Sequence, residues 1–287
     1  MMKRFVLVTG ASTGIGKSAC LALAKQGYDV LAGVRSMQDA DMLKSSGSMS
    51  IHPLIMDVTN EESLVNAKAE AEKLIGQNPF VAIFNNAGVV INGTVLHVPL
   101  EQWNYQFQVN VFGAVRILQL FFPLLIRENL QGDDHPRRII NMSSVSGHFA
   151  APFIGPYAAS KYAMEALSDS LRRELYMYDV QVVLIVAGKI ATPIWEKAKR
   201  DPSYFGSEYA GILQFKDQMI DNMITQGLPV ERVDGLILKA VSAKRVKLRY
   251  YIVPNKWNFF LMRYFPARLI DRLIRGKLKT KSGIRPF

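Results

Sequence analysis

The sequence has one cysteine, Cys20, among 287 residues. A lone thiol excludes an internal disulfide framework and a cysteine-based zinc site. It fits a reducing compartment, so a cytoplasmic location is expected. Long apolar runs are also lacking. Near the N-terminus only Phe5–Val8 is apolar before the turn at Thr9-Gly10, too short for the apolar region of a secretory signal. The stretch Ile117 to Ile126 is interrupted by Gln119 and Pro123 and is too short to span a bilayer. Gly (20) and Pro (13) follow no repeat, which excludes collagen and low-complexity arrays. Acidic residues are scarce at one end only. Residues 246–287 hold 11 Lys and Arg against the single acid Asp271, whereas residues 1–245 hold 24 against 23 acids. The formal charge of +11 therefore belongs to a basic tail on a nearly neutral body. That argues against a nucleic-acid-binding core and for a tail with its own partner.

Hydrophobic residues make up 49% of the chain, enough apolar surface to offset chain entropy and exclude disorder as the main state. Apolar runs of strand length, rich in β-branched residues, occur at Phe5–Val8, Asp29–Val34, Ile51–Met56, Phe80–Phe84, Arg138–Met142 and Val180–Val186. Amphipathic stretches near residues 15–27, 60–76, 100–129 and 156–178 separate most of them. The runs do not alternate polar with apolar, which suggests strands covered on both faces, hence a parallel sheet. Right-handed crossovers then give a doubly wound α/β fold. Tyr250–Val253 reads as a seventh, edge strand. Gln131-Gly132-Asp133-Asp134-His135-Pro136 reads as a turn before the fifth strand. Residues 189–228 break the alternation as a helical insertion. Residues 1–254 form one domain in this reading, and residues 255–287 a basic amphipathic segment.

The first strand runs into Thr9-Gly10-Ala11-Ser12-Thr13-Gly14-Ile15-Gly16. Glycines at a strand-to-helix turn let the backbone approach a pyrophosphate, whose charge meets the free N–H groups of the helix start. The position of the turn points to a dinucleotide. The second strand ends in Val34-Arg35-Ser36, with no acid to bind ribose hydroxyls and repel a 2′-phosphate. The planar fork of Arg35 suits that phosphate. This favours NADP(H) and leaves NAD(H) open, and a solvated surface arginine is the plainer alternative. Asp57 closes the third strand and could accept from an adenine amino group, or serve as a turn residue. Asn85-Asn86-Ala87-Gly88 follows the fourth strand, with small residues for backbone against cofactor and amides to brace strand ends. In Tyr157-Ala158-Ala159-Ser160-Lys161 the phenol and ammonium share a helix face. An adjacent ammonium favours the phenolate and lowers its pKa. Ser144, in Asn141-Met142-Ser143-Ser144, could bond a substrate oxygen or simply cap a turn.

Taken together these residues resemble the short-chain dehydrogenases/reductases of compact, single-domain type. The matching motifs are Thr9-Gly10-x-x-x-Gly14-x-Gly16, Asn85-Asn86-Ala87-Gly88, Asn110 in Val109-Asn110-Val111, Ser144 and Tyr157-x-x-x-Lys161, in order over residues 3–195. The resemblance implies a Rossmann-type sheet of about seven strands under a helical lid. It implies that Tyr157 is the general acid–base, that Lys161 lowers its pKa and holds the nicotinamide ribose, and that Ser144 polarises the substrate oxygen. Asn110 would anchor a water linking Lys161 to solvent. The cofactor cleft would comprise Gly10, Ser12, Thr13, Gly14, Ile15, Gly16, Arg35, Asp57, Val58, Asn86, Ala87, Gly88, Tyr157, Lys161, Gly188, Ile190 and Thr192, with no metal. The family's usual Pro-Gly after the sixth strand is here Ala187-Gly188. Losing the proline frees one φ and restores an N–H, so a looser loop is expected. A homodimer or homotetramer is implied, pairing the long helices near 100–129 and 156–178.

The insertion carries Trp195, Tyr204, Phe205, Tyr209, Phe215, Met219 and Met223. As a lid they would suit a bulky apolar small molecule, steroid-, retinoid- or lipid-like, or else pack on the sheet or a partner. The expected activity is hydride transfer between NADP(H) and a secondary alcohol or ketone. The other reading is a non-catalytic cofactor-binding regulator or membrane-surface interaction protein on the same fold. In the tail, Leu269, Ile270, Leu273 and Ile274 recur at helical spacing beside Arg268, Arg272 and Arg275, after an aromatic-rich stretch at 257–265. That segment would contact an anionic membrane, making the protein peripherally associated, or pack against the body.

Overall fold

The computed structural model describes residues 3–127, 135–200, 204–206, 209 and 213–282. Residues 131–134 of the expected turn and parts of the expected lid lie outside them. Seven strands form one sheet: β1 (Phe5–Thr9), β2 (Asp29–Val34), β3 (Ile51–Ile55), β4 (Phe80–Asn85), β5 (Arg137–Ser144), β6 (Val180–Ala187) and β7 (Arg249–Ile252). Their order is β3-β2-β1-β4-β5-β6-β7, and every pairing is parallel. The helices are α1 (Gly14–Lys25), α2 (Met37–Lys44), α3 (Glu61–Ile75), α4 (Leu100–Phe107), α5 (Gly113–Leu125), α6 (Gly155–Glu174), α7 (Pro193–Arg200), α8 (Leu213–Thr225), α9 (Glu231–Ser242), α10 (Lys256–Tyr264) and α11 (Ala267–Ser282).

Alternate side chains of β1 feed two cores. Val6 and Val8 pack with Ala19 and Leu23 of α1 and with Val233 and Ile237 of α9. Phe5 and Leu7 pack with Leu64 and Ala71 of α3 and with Ile117 and Phe121 of α5. Burial on both faces accounts for the unbroken apolar runs. The strand order reverses between β1 and β4, where doubly wound folds open a crevice at the carboxyl ends of the strands.

Several features differ from the sequence expectation. The helix expected over 100–129 is α4 and α5 joined by a π-helical turn, Gln108–Phe112. The extra residue in that turn accompanies close packing of Gly113, where an added Cβ would lie 2.8 Å from Val58 Cβ. Leu100–Leu125 is long and apolar enough to cross a membrane by length and composition alone, yet Ile117, Phe121 and Leu125 are buried in the core. Helices α2 and α9 were not expected. In α2 only Ala40 and Leu43 of its eight residues are buried, too few to print a periodic signal. The looser loop is not seen at Ala187 itself. Ala187 pairs with Ser144 and Ile252 as the last residue of β6, and Gly188 N–H donates to Ile252 O at 2.8 Å.

Candidate active site

A cleft of ≈ 370 Å³ runs along the carboxyl ends of the strands, from the β1–α1 turn to Tyr157. Gly10 sits at φ +66°, and a Cβ there would come within 2.8 Å of Ala87 Cα. A Cβ on Gly16 would strike Gly10 O, so both positions hold backbone where no side chain fits. Asn86 locks the turn, donating from Nδ2 to Thr9 O at 3.0 Å and Gly10 O at 3.2 Å. Thr9 Oγ1 accepts from the N–H groups of Asn86 and Ala87, each at 3.0 Å. Asn85 Nδ2 donates to Asn141 Oδ1 at 2.9 Å, tying β4 to β5, which is the bracing expected of these amides.

The same cleft is lined by Ser12, Thr13, Gly14, Ile15, Arg35, Asp57, Val58, Asn86, Ala87, Gly88, Gly188, Ile190 and Thr192. Gly16 lies behind this wall, against the backbone of Gly10. Arg35 stands exposed just past the end of β2. Asp57 faces the cleft while its Oδ1 accepts from Thr59 N–H at 2.9 Å and Thr59 Oγ1 at 2.7 Å, so it is a turn residue as well. A glycine cradle opening at a helix start, continuous with a polar floor, fits a nicotinamide dinucleotide with its pyrophosphate on the turn.

At the far end α6 carries Tyr157 and Lys161, both buried. Lys161 Nζ donates to Met142 O at 2.8 Å and lies 5.7 Å from the centre of the Tyr157 ring. Burial brings the ammonium down to about 8, against the opposing charge of Glu165. Burial pushes the Tyr157 phenol up, opposed by its hydrogen bond with Ser144. Ser144 Oγ also accepts from Ser146 N–H at 3.1 Å, the capping role, and its link to the cleft runs through Tyr157. Asn110 sits in the π turn. Its Oδ1 accepts from Val89 N–H at 2.8 Å, and Nδ2 donates to Val89 O and Ser160 Oγ, each at 3.1 Å. A cavity of ≈ 10 Å³ borders both Asn110 and Lys161, at the lower limit for one water.

Sequence reasoning missed the group behind Lys161. Ser143 Oγ donates to buried Glu165 Oε1 at 2.5 Å, and Arg249 Nε donates to Glu165 Oε2 at 2.8 Å. His148 Nε2 lies 3.5 Å from Glu165 Oε1, and Arg249 also pairs with Asp169 at 3.0 Å. Glu165 follows Lys161 by one helical turn, a signal the sequence did offer. Arg249 is 84 residues further on and offered none. The aromatic residues of the insertion fall into two groups. Trp195 meets the Tyr157 ring edge-on at 6.2 Å within a cluster that includes Val90, Ile220, Met219 and Met223. Phe205 instead packs on Phe153 at 5.3 Å and Tyr209 on His97 at 5.9 Å. The Phe215 side chain lies outside the described residues. Among the described residues no group of three or more His, Cys, Asp or Glu could hold a metal ion.

The short chain dehydrogenase profile matches residues 4–203. The "NADPH-dependent 3-dehydrocapnine reductase" of Ornithobacterium rhinotracheale is 37% identical over 281 residues, covering 96% of this chain and 98% of that protein. The "Uncharacterized oxidoreductase YbbO" of Escherichia coli K12 is 33% identical over 277 residues, covering 96% of each. A short-chain dehydrogenase structure from Streptomyces avermitilis superposes with a TM-score of 0.76 at 22% identity, covering 100% of both chains, and so shares the fold. The cleft, its nicotinamide-cofactor fit and these likenesses agree: the chain belongs to the short-chain dehydrogenase/reductase family and is an NAD(P)-dependent oxidoreductase.

Proposed function

We propose that the protein is an NADP(H)-dependent oxidoreductase interconverting a secondary alcohol and its ketone on a bulky hydrophobic substrate. The observation that carries this reading is the Ser144–Tyr157–Lys161 set at the end of a cleft walled by Val90, Ile91, Ile194, Trp195 and Ala198. The reduced nicotinamide, when bound, supplies hydride to the carbonyl carbon. Tyr157 gives the carbonyl oxygen its proton, while Ser144 donates a hydrogen bond to that oxygen. Lys161 would hold the ribose hydroxyls, and its charge favours the phenolate that remains. The apolar wall excludes water and accepts a large hydrocarbon body.

The NADP(H) preference rests on Arg35 at the cleft, with no carboxylate at the end of β2. The NADPH dependence of the 37%-identical relative supports it. We also propose a cytoplasmic homodimer or homotetramer. NADPH oxidation against steroid, retinoid and long-chain ketones tests the activity, and failure on every class removes the substrate reading. Fluorescence titration of Arg35→Ala tests the cofactor: the Kd for NADPH should rise while that for NADH stays constant. Equal weakening of both would defeat the preference.

A further inference from the structure

The two C-terminal helices pack on the body through few side chains. Phe259 of α10 is buried against His148 and Tyr251. Ile270 of α11 is buried as well, and α11 lies against α8. Among the described residues, other large apolar side chains of both helices stand exposed. Trp257 is 81% exposed and Leu261 53%, four residues apart on α10. Leu269 and Leu273, four apart on α11, are 38% and 65% exposed. Four-residue spacing places each pair on one helix face. Tyr264, 72% exposed, stacks on Phe260 at 6.4 Å. A soluble surface rarely carries so many large apolar side chains together unless something covers them.

The charge around this face says what covers it. Arg268, Arg272 and Arg275 are exposed on α11 and make no ion pair among the described residues. Asp271 is the only acid in residues 246–287. A second copy would bring the same basic helices to the contact and meet like charge. The rest of the chain is nearly neutral and provides no acidic counterpart in bulk. Aromatic and aliphatic side chains flanked by arginines match a bilayer, with rings at the headgroup level and guanidinium groups on lipid phosphates.

We infer that α10 and α11 form a docking face for the surface of an anionic phospholipid bilayer. This does not depend on the identity of the substrate. It has a consequence for the site: α8, on which α11 rests, contributes Ile220, Met219 and Met223 to the cluster around Tyr157 and Trp195. Docking therefore sets lipid beside a helix that packs on Trp195 and Tyr157.

The test is flotation of the full chain with phosphatidylcholine vesicles and with phosphatidylcholine/phosphatidylglycerol vesicles. The protein should float with the second only, and high salt should release it. The variant Arg268→Glu/Arg272→Glu/Arg275→Glu should lose at least about 100-fold in partitioning, at roughly 1 kcal/mol per basic residue. Trp257→Ser/Leu261→Ser/Leu273→Ser should lose binding as well. Both variants should keep the wild-type NADPH titration and melting temperature, since the altered side chains are exposed. No flotation with anionic vesicles, equal flotation with neutral ones, or unchanged flotation of either variant overturns the inference. So does a fall in the light-scattering mass of the serine variant, because a second copy would then be the cover.

Discussion

Lys161 is a cation held where a cation is disfavoured. Burial brings its pKa down to about 8, and the carboxylate of Glu165 resists that fall. Glu165 is itself held by Ser143 and Arg249, so its position is set by β5 and β7 together. In Glu165→Gln the opposing charge disappears and the side chain keeps its shape. The Lys161 pKa then falls further, and the ammonium is lost at lower pH. The alkaline limb of the kcat/KM profile should move toward neutral pH while the melting temperature changes little. An unmoved limb would show that Glu165 acts on packing alone. Tyr157 has the opposite problem, a phenol raised by burial, and needs both Ser144 and the cation to lose its proton. Tyr157→Phe should retain NADPH binding and lose at least about 100-fold in kcat. A variant keeping a tenth of wild-type turnover would contradict the acid–base role.

Between elements, the tie most exposed to mutation is Arg138. It is fully buried on β5 and spends its guanidinium on the end of α9, donating to Ala240 O at 3.2 Å and Ala243 O at 2.7 Å. These are carbonyls the helix cannot satisfy itself, and a cation there also meets the negative end of the helix dipole. Arg138→Ala would leave them bare in the core. Charge-assisted bonds contribute about 1.5–3 kcal/mol each, so urea unfolding should show a loss on the order of 3 kcal/mol with NADPH affinity retained. A loss under about 1 kcal/mol would mean that water replaces the guanidinium. Legibility at this scale followed burial. β1, β2 and β4 were plain because both faces are covered. α9 was not, because its partners Val6, Val8 and Arg138 come from other parts of the chain, and the π turn holding Asn110 left no mark in the pattern.

For the molecule as a whole, the exposed Tyr105 of α4, Phe112 of the π turn and Tyr162 of α6 lie on the helices expected to pair across a two-fold axis. Light scattering at micromolar concentration should give at least a dimer mass, and Phe112→Asp should reduce it. A wild-type monomer would refute the pairing. This contact and the basic face of α10 and α11 involve different residues, so the assembly and the proposed bilayer contact can be broken separately.

Short-range pattern by itself determined the parallel sheet, the glycine turn, and the Tyr157 and Lys161 pair. Each depends on residues a few positions apart, whose geometry follows from strand and helix periodicity. Arg35 and the basic tail were legible because composition and position along the chain carry them. Tertiary structure alone decided that Glu165, Arg249 and His148 gather behind Lys161 and that burial outweighs the Ser144 hydrogen bond at Tyr157. It also decided that Trp195 meets the Tyr157 ring while Phe205 and Tyr209 pack on Phe153 and His97. These depend on desolvation and on contacts between distant segments, quantities that exist only once the chain has closed on itself.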